Sequence, residues 1–303
     1  MKLFLKDQDK ICKFSVIFKN LQCLVDAIKI YFSEKGLYVQ GMDNSTCCLF
    51  ECNIPGKWFD EYSFQTGVDS PQISVNTAIM QKVLGTLGDK QEITMSYEGE
   101  SDILLVELTK GTANFDKTFE IALIDLDVEL LHIPQQETDV DLVIQTSKFS
   151  ELISQLLIFS EILTLQFKEE AIDFKASGVE GSMSSSIDLD DVTEYAIEEG
   201  TTLSHSYSLK YLNMMCNFNK LSKDIVMGFN KDMPMSLLFN LEESKESKEN
   251  DNNKETDNKT EYSEDIFSDD DDDDEDDTGN VSDKKDKCYV GFYLAPRMDE
   301  DAY

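Results

Sequence analysis

Leu123-Ile-Asp-Leu-Asp-Val-Glu-Leu-Leu-His-Ile-Pro134 decides how this chain is read, because the same succession of elements stands on either side of it. Upstream, Lys19–Phe32 carries Leu21, Leu24, Val25, Ile28 and Phe32 at helical spacing, which predicts a helix with one buried stripe. Gly36–Met42 and Thr46–Ile54 predict strands. Val75–Leu87 predicts a second helix through Ile79, Met80, Val83, Leu84 and Leu87, and strands follow at Ile93–Tyr97 and Asp102–Leu108. Downstream, Lys148–Phe159 predicts a helix with Phe149, Leu152, Ile153 and Leu156 on one side. Leu163–Phe167 and Ala171–Ala176 alternate with period two about a polar turn. A helix at Ser208–Lys220 and strands at Ile225–Phe229 and Met235–Asn240 complete the second half. Each half is thus helix, strands, helix, strands in about 130 residues, an internal duplication with the quoted stretch as its linker. Antiparallel strands with a few helices packed on one face give an α+β class.

The chain has 303 residues, with 27 Lys+Arg against 61 Asp+Glu, a net charge of −34. That length suggests two domains, and 41% hydrophobic with 10% aromatic content indicates a globular protein. No apolar run approaches the ~18 residues of a membrane span, and the charged start Met1-Lys-Leu-Phe-Leu-Lys-Asp7 does not read as a secretory signal. The acid is unevenly spread. Glu242–Lys287 holds 21 acids and 7 lysines in 46 residues, a net −14, and includes the wholly acidic Asp269–Asp277. Such a stretch cannot bury enough apolar surface to offset its ordering entropy, so it reads as a disordered insert between two strands, Met235–Asn240 and Cys288–Leu294. The remaining 257 residues carry −20.

Seven cysteines, an odd number without a signal peptide, point to reduced thiols of the cytosol or nucleus. Cys47, Cys48 and Cys52 fall on a predicted strand, where Cys48 and Cys52 share a face roughly 13 Å apart, too far to hold one metal ion. No metal or cofactor is expected. The four predicted helices contain Lys19, Lys29, Lys82, Lys148, Lys210 and Lys220 against Asp26 and Glu151, a net +4 that leaves −24 for the rest of the globular part. If those helices share one surface, that surface attracts a polyanion while the outside repels it.

Five segments carry a resemblance to a known family: Gly36–Asp43, Leu123–Pro134, Phe174–Gly178, Leu209–Asn213 and Tyr293–Asp299. Their order and near-family spacing, and above all the Asp-Leu-Asp-Val-Glu connector and the terminal Tyr-Leu-Ala-Pro, resemble the eukaryotic-type DNA sliding clamp, proliferating cell nuclear antigen. The resemblance implies two tandem clamp domains per subunit, residues 1–120 and 139–303, joined by an interdomain loop at 121–138. It implies a homotrimeric ring with sheets outside and helices lining a hole around double-stranded DNA. Lys29, Lys82 and Lys210 fall where the family has DNA-facing basic residues, with Lys19 and Lys220 beside them; Gln22, Cys23, Gly85, Ser154 and Asn217 are neutral at other such positions.

The resemblance also implies a pocket for partner peptides that present a 3₁₀ turn with an apolar plug and two aromatics. Its residues here are Met42, Thr46, Leu49, Leu126, Leu131, Ile133, Pro234, Tyr293, Ala295, Pro296 and Met298. Thr46 stands where the family often has histidine. The implied partners are DNA polymerase, a clamp loader, proteins carrying that peptide motif and further copies of the chain, at the nucleus or another site of DNA replication. Subunits are expected to pair strand edges near Asn114–Ile121 and Gly181–Ile187. Pro234 and Pro296 stand at one end of the hairpin that brackets the insert, so the insert is expected to leave from the other end, away from the pocket. An alternative is a checkpoint-type or transcription-associated clamp relative in a hetero-oligomer. A metal-dependent nuclease built on Asp125 and Asp127 is disfavoured, because two-metal sites need convergent acids.

Overall fold

The computed structural model describes residues 1–64, 72–99, 101–112, 115–134, 137–198, 200–242 and 287–297. The first half runs β1 (Lys2–Leu5), α1 (Gln8–Asn20), β2 (Ala27–Ser33), β3 (Gly36–Met42), β4 (Cys48–Pro55), β5 (Glu61–Ser63), β6 (Gln72–Asn76), α2 (Thr77–Gly85), β7 (Glu92–Ser96), β8 (Ile103–Thr109) and β9 (Lys117–Ala122). The second half repeats that order element for element: β10 (Val140–Gln145), α3 (Thr146–Leu156), β11 (Ile162–Phe167), β12 (Ala171–Gly178), β13 (Gly181–Asp188), β14 (Glu194–Ile197), β15 (Leu203–Ser208), α4 (Leu209–Cys216), β16 (Asp224–Phe229), β17 (Met235–Asn240) and β18 (Tyr289–Leu294).

The duplication extends to sheet topology. Each half builds one five-stranded unit, ordered β5-β1-β7-β8-β9 or β14-β10-β16-β17-β18. Each also builds a four-stranded unit, ordered β4-β3-β2-β6 or β13-β12-β11-β15. The five-stranded unit of the second half and the four-stranded unit of the first fuse into a nine-stranded sheet through β18 and β4, from Leu294 opposite Cys48 to Tyr289 opposite Asn53. This leaves β9 and β13, the counterparts of the fused strands, as edges of their own sheets.

The helices lie over the sheets, α1 against α2 and α3 against α4. The Asn20 side chain donates to the Asn217 carbonyl at 2.9 Å, joining the end of α1 to the end of α4 across the two halves. All four therefore belong to one layer. Their inward stripes, such as Phe14, Ile17 and Phe18 of α1 and Phe149, Ile153 and Leu156 of α3, enter one continuous apolar core with the strands.

One element departs from expectation. The helix predicted over Lys19–Phe32 is the end of α1, a 3₁₀ turn at Leu21–Cys23 and then strand β2. Ile28, Ile30 and Phe32 are buried and alternate with half-buried Lys29, Tyr31 and Ser33, so the period is two, not 3.6. The helix itself lies upstream. Asp7 caps it by accepting from the amides of Asp9 and Lys10, satisfying donors that a helix start leaves unpaired. The last predicted helix is also shorter, ending at Cys216 rather than Lys220.

Candidate functional site

The first candidate surface is the helical layer. Its charged side chains are Lys10, Lys13, Lys19, Lys82, Lys148 and Lys210 against Asp9 and Glu151, so the balance of +4 stands on a different membership. Lys82 in the last turn of α2 and Lys210 in the first turn of α4 are exposed, and Lys19 in the last turn of α1 is half-buried. Lys220 lies four residues past the end of α4, exposed in a turn. Lys29 is a correction. It stands on β2, and its ammonium donates to the Val128 carbonyl at 3.1 Å, so it fastens the linker rather than joining the helical face.

Lys10 and Lys13 escaped the sequence reading. Lys10 lies over the Trp58 ring at 5.8 Å, a cation–π distance. Lys13 pairs with Asp9 at 3.0 Å and donates to the Leu241 carbonyl at 2.8 Å. Ile11, Phe14, Ile17 and Phe18 at helical spacing behind an Asp cap were the signal that would have found both. Asp125 and Asp127 are exposed, and no group of three metal-ligating side chains occurs among the described residues.

The second candidate surface is built around the β4–β18 seam. Cross-strand register puts Met42, Leu49 and Tyr293 side by side on β3, β4 and β18. Met42 is 37% exposed at one end of that row. The Ala295 amide donates to the Cys47 carbonyl at 3.0 Å, which brings the segment after β18 against the β3–β4 loop that holds Thr46. Pro234 and Pro296 are half-buried, just before β17 and just after β18, at the same end of that hairpin. Met298 and part of the Asn114–Ile121 stretch lie outside the described residues.

The linker crosses the first half strand by strand. The Ile124 amide donates to the Ser74 carbonyl of β6 at 2.9 Å. Val128 is then held from β2, and Leu131 from β3: its amide donates to Gln40 Oε1 at 2.7 Å, and its carbonyl accepts from Gln40 Nε2 at 3.0 Å. Leu131 is thereby fixed to β3 two residues from Met42 while remaining 46% exposed, with half-buried Leu126 and Ile133 on either side of it in sequence.

On the same sheet face, two residues along β4 from Leu49, lies a buried carboxylate. Glu51 on β4 is 6% exposed and accepts from the hydroxyls of Tyr38 at 2.9 Å and Tyr293 at 2.7 Å. Tyr289 bonds the same carboxylate. Burial first, and then the charge of Glu51, raise all three phenols far above their ordinary range, so they stay protonated and donating.

The β3–β4 loop has its own anchor. Asp43 Oδ1 accepts from the amides of Cys47 and Cys48, both at 2.7 Å, and Oδ2 from the Ser45 amide at 2.9 Å and the Tyr211 hydroxyl at 2.5 Å. Burial works to raise the Asp43 pKa, but the bonds from Tyr211, Cys48, Ser45 and Cys47 outweigh it and hold the carboxyl below its ordinary value. Tyr211 is pushed up to about 12 by burial and by that same bond. Thr46 sits in the left-handed region at φ 55°, uncommon for a β-branched residue.

The strands flanking the acidic insert do pair as a hairpin, Met235 opposite Leu294 and Asn240 opposite Tyr289. The Leu241 amide donates to the Cys288 carbonyl at 2.9 Å and the Asn53 side chain to the Lys287 carbonyl at 2.7 Å, so the insert is rooted at the end remote from Pro234 and Pro296. Residues 243–286 lie outside the described residues. Cys48 and Cys52 are buried, Cys47 is exposed, and all seven cysteines are free thiols. Two family models match the chain: that of the proliferating cell nuclear antigen N-terminal domain over residues 8–130 and that of its C-terminal domain over residues 132–248.

Proposed function

The chain belongs to the proliferating cell nuclear antigen family of sliding clamps, which are non-enzymatic scaffolds, and on that premise we propose that it works as a processivity factor. Three copies close around double-stranded DNA, and the ring tethers DNA polymerase and other replication and repair proteins through the pocket at the β4–β18 seam. The two clamp domains are residues 1–120 and 139–303 with 121–138 between them, and the work is done at the nucleus or another site of DNA replication after delivery by a clamp loader.

The observation that carries this reading is the pair of free edges. Inside the chain, β18 of one repeat pairs with β4 of the other. Their counterparts β9 and β13 have no partner strand on their outer side among the described residues. If β9 of one copy meets β13 of the next, every junction in the ring repeats the internal one and no sheet edge stays open at those positions. The apolar residues left exposed agree: Ile79 of α2 is 41% exposed, Ile158 after α3 72%, and Val179 beside β13 107%. On the other repeat the position matching Ile79 is Tyr211, which is packed at the internal seam.

A topological link also explains a modest helical charge. A ring that cannot fall off needs only weak, sequence-independent phosphate contacts, and those permit sliding. Lys82 and Lys210, exposed on α2 and α4, supply such contacts while the acidic outside is repelled. The deciding experiment is the mass in solution followed by polymerase extension on primed circular DNA with a loader. A species of three 34.5 kDa chains that lengthens products supports the proposal. A strict monomer, or assembly only with other clamp chains, sinks it.

A further inference from the structure

Asp43 is the most heavily used side chain of the pocket rim, accepting three backbone amides and one phenol while almost fully buried. Its neighbours need that attention. The five residues between β3 and β4 must reverse the chain with Thr46 at φ 55°, a conformation that costs a β-branched residue about 1–3 kcal/mol unless its surroundings impose it. The Thr46 amide donates to the Asp43 carbonyl at 3.0 Å, so both the backbone and the side chain of Asp43 hold the reversal. Tyr211 adds the second attachment, from the first turns of α4 in the other repeat.

We propose that Asp43 and Tyr211 are positioning residues for partner-peptide binding. Their contact locks the 43–47 loop in the one conformation that presents Thr46 at the rim and the Cys47 carbonyl to Ala295, and it fixes that rim to the helical layer. This rests on the reading of the β4–β18 seam as a peptide pocket. Asp43→Asn is the sharpest probe, being isosteric. It keeps one acceptor for Cys47 and Cys48 but turns Oδ2 into an amide NH2 that can no longer accept from the Ser45 amide or the Tyr211 hydroxyl. Tyr211→Phe deletes only the hydroxyl. Thr46→Gly removes the steric cost of the left-handed conformation and so lessens the need for the anchor.

The experiment is fluorescence anisotropy on the full chain, with a labelled synthetic peptide of the interacting-protein motif. Asp43→Asn is expected to weaken binding about tenfold and Tyr211→Phe about threefold. The double variant should be no weaker than Asp43→Asn, since both changes break one contact. Adding Thr46→Gly should restore part of the Asp43→Asn loss when every variant is assayed well below its measured Tm, where a general loss of stability no longer lowers the folded fraction. Wild-type binding with both single variants unaffected overturns the inference while leaving the pocket standing. Loss in Asp43→Asn that Thr46→Gly does not relieve also overturns it. A wild-type chain that ignores the peptide removes the pocket reading and this inference together.

Discussion

Pairing of β9 with β13 between copies has a defined register. The Ile124 amide bonds to Ser74, and the Arg297 amide bonds in the same way to Ser206, on the matching strands β6 and β15. This aligns β9 with β18 so that Ile121 matches Leu294. After β4 and after β13 comes a 3₁₀ turn, Gly56–Trp58 and Leu189–Asp191, which aligns Cys48 with Gly181. The internal pairs Leu294–Cys48, Phe292–Phe50 and Gly291–Glu51 then translate into Ile121–Gly181, Phe119–Met183 and Thr118–Ser184 between copies. Phe119 and Met183 are both half-buried against the core in the single chain, so the pair would complete an apolar row. Thr118 and Ser184 point outward and are exposed. Opposed residues in an antiparallel pair have Cα atoms about 4.5–5.5 Å apart, inside the roughly 4.4–6.8 Å that a disulfide spans. The chain with Thr118→Cys and Ser184→Cys should therefore oxidise to covalent multimers on non-reducing gels. Thr118→Cys with Ser186→Cys, a diagonal pair at about 7–8 Å, should not. Phe119→Ala should cost about 2 kcal/mol per interface, roughly thirtyfold in each edge's association constant, read by sedimentation against concentration. Equal crosslinking by the diagonal pair would refute the register, and an unchanged association constant would remove Phe119 from the interface.

Other expectations follow from the same geometry. Lys82→Ala with Lys210→Ala should shorten residence on closed circular DNA and flatten its salt dependence, by about 0.9 in log–log slope for each phosphate no longer neutralised; an unchanged slope would take both off the DNA path. Lys29→Ala should leave that slope alone and speed proteolysis within Leu126–Ile133, because it unfastens Val128; a changed slope would put Lys29 back among the DNA-facing lysines. Glu51→Leu strands the phenols of buried Tyr289 and Tyr293 and half-buried Tyr38 and should cost about 3 kcal/mol, a fall in Tm of about 6–12 °C for a chain this size; a smaller shift would mean the hydroxyls find other acceptors. The lowered Asp43 pKa contributes stability that is present above its unfolded value of about 3.9 and lost as pH falls through the lower folded value. Carboxyl-carbon NMR should place its midpoint below about 3.9, and a midpoint above about 4.3 would contradict the hydrogen bonding described.

The duplication was legible because most core stripes are clean: Phe149, Ile153 and Leu156 have no second period to compete with the helical one. Residues 19–32 were not, because Leu21, Leu24, Val25, Ile28 and Phe32 satisfy a helical period while Ile28, Ile30 and Phe32 satisfy a strand period. The β-branched and aromatic content of 27–33 was the arbiter, together with the Asp7 cap upstream. That error put Lys29 on the wrong face and hid Lys10 and Lys13, yet left the helical charge unaltered, since composition is less sensitive to boundaries than placement. The short strands β1, β5 and β14 carry too few residues to show a period. The Asp43–Tyr211 and Gln40–Leu131 contacts join residues far apart in sequence, so only the folded chain brings them together.

The β18–β4 seam has a further consequence for how the protein is made. Strand β18 is the partner that closes the β4 edge, and it follows the acidic insert in the chain. During synthesis β4 therefore waits with an open edge until residue 294 has emerged. At about 5–20 residues per second, the 46 residues of the insert lengthen that wait by about 2–9 s. An unpaired edge is a template for association with other nascent chains. The insert's composition, dense negative charge with few apolar groups, makes neighbouring nascent chains repel one another during that interval.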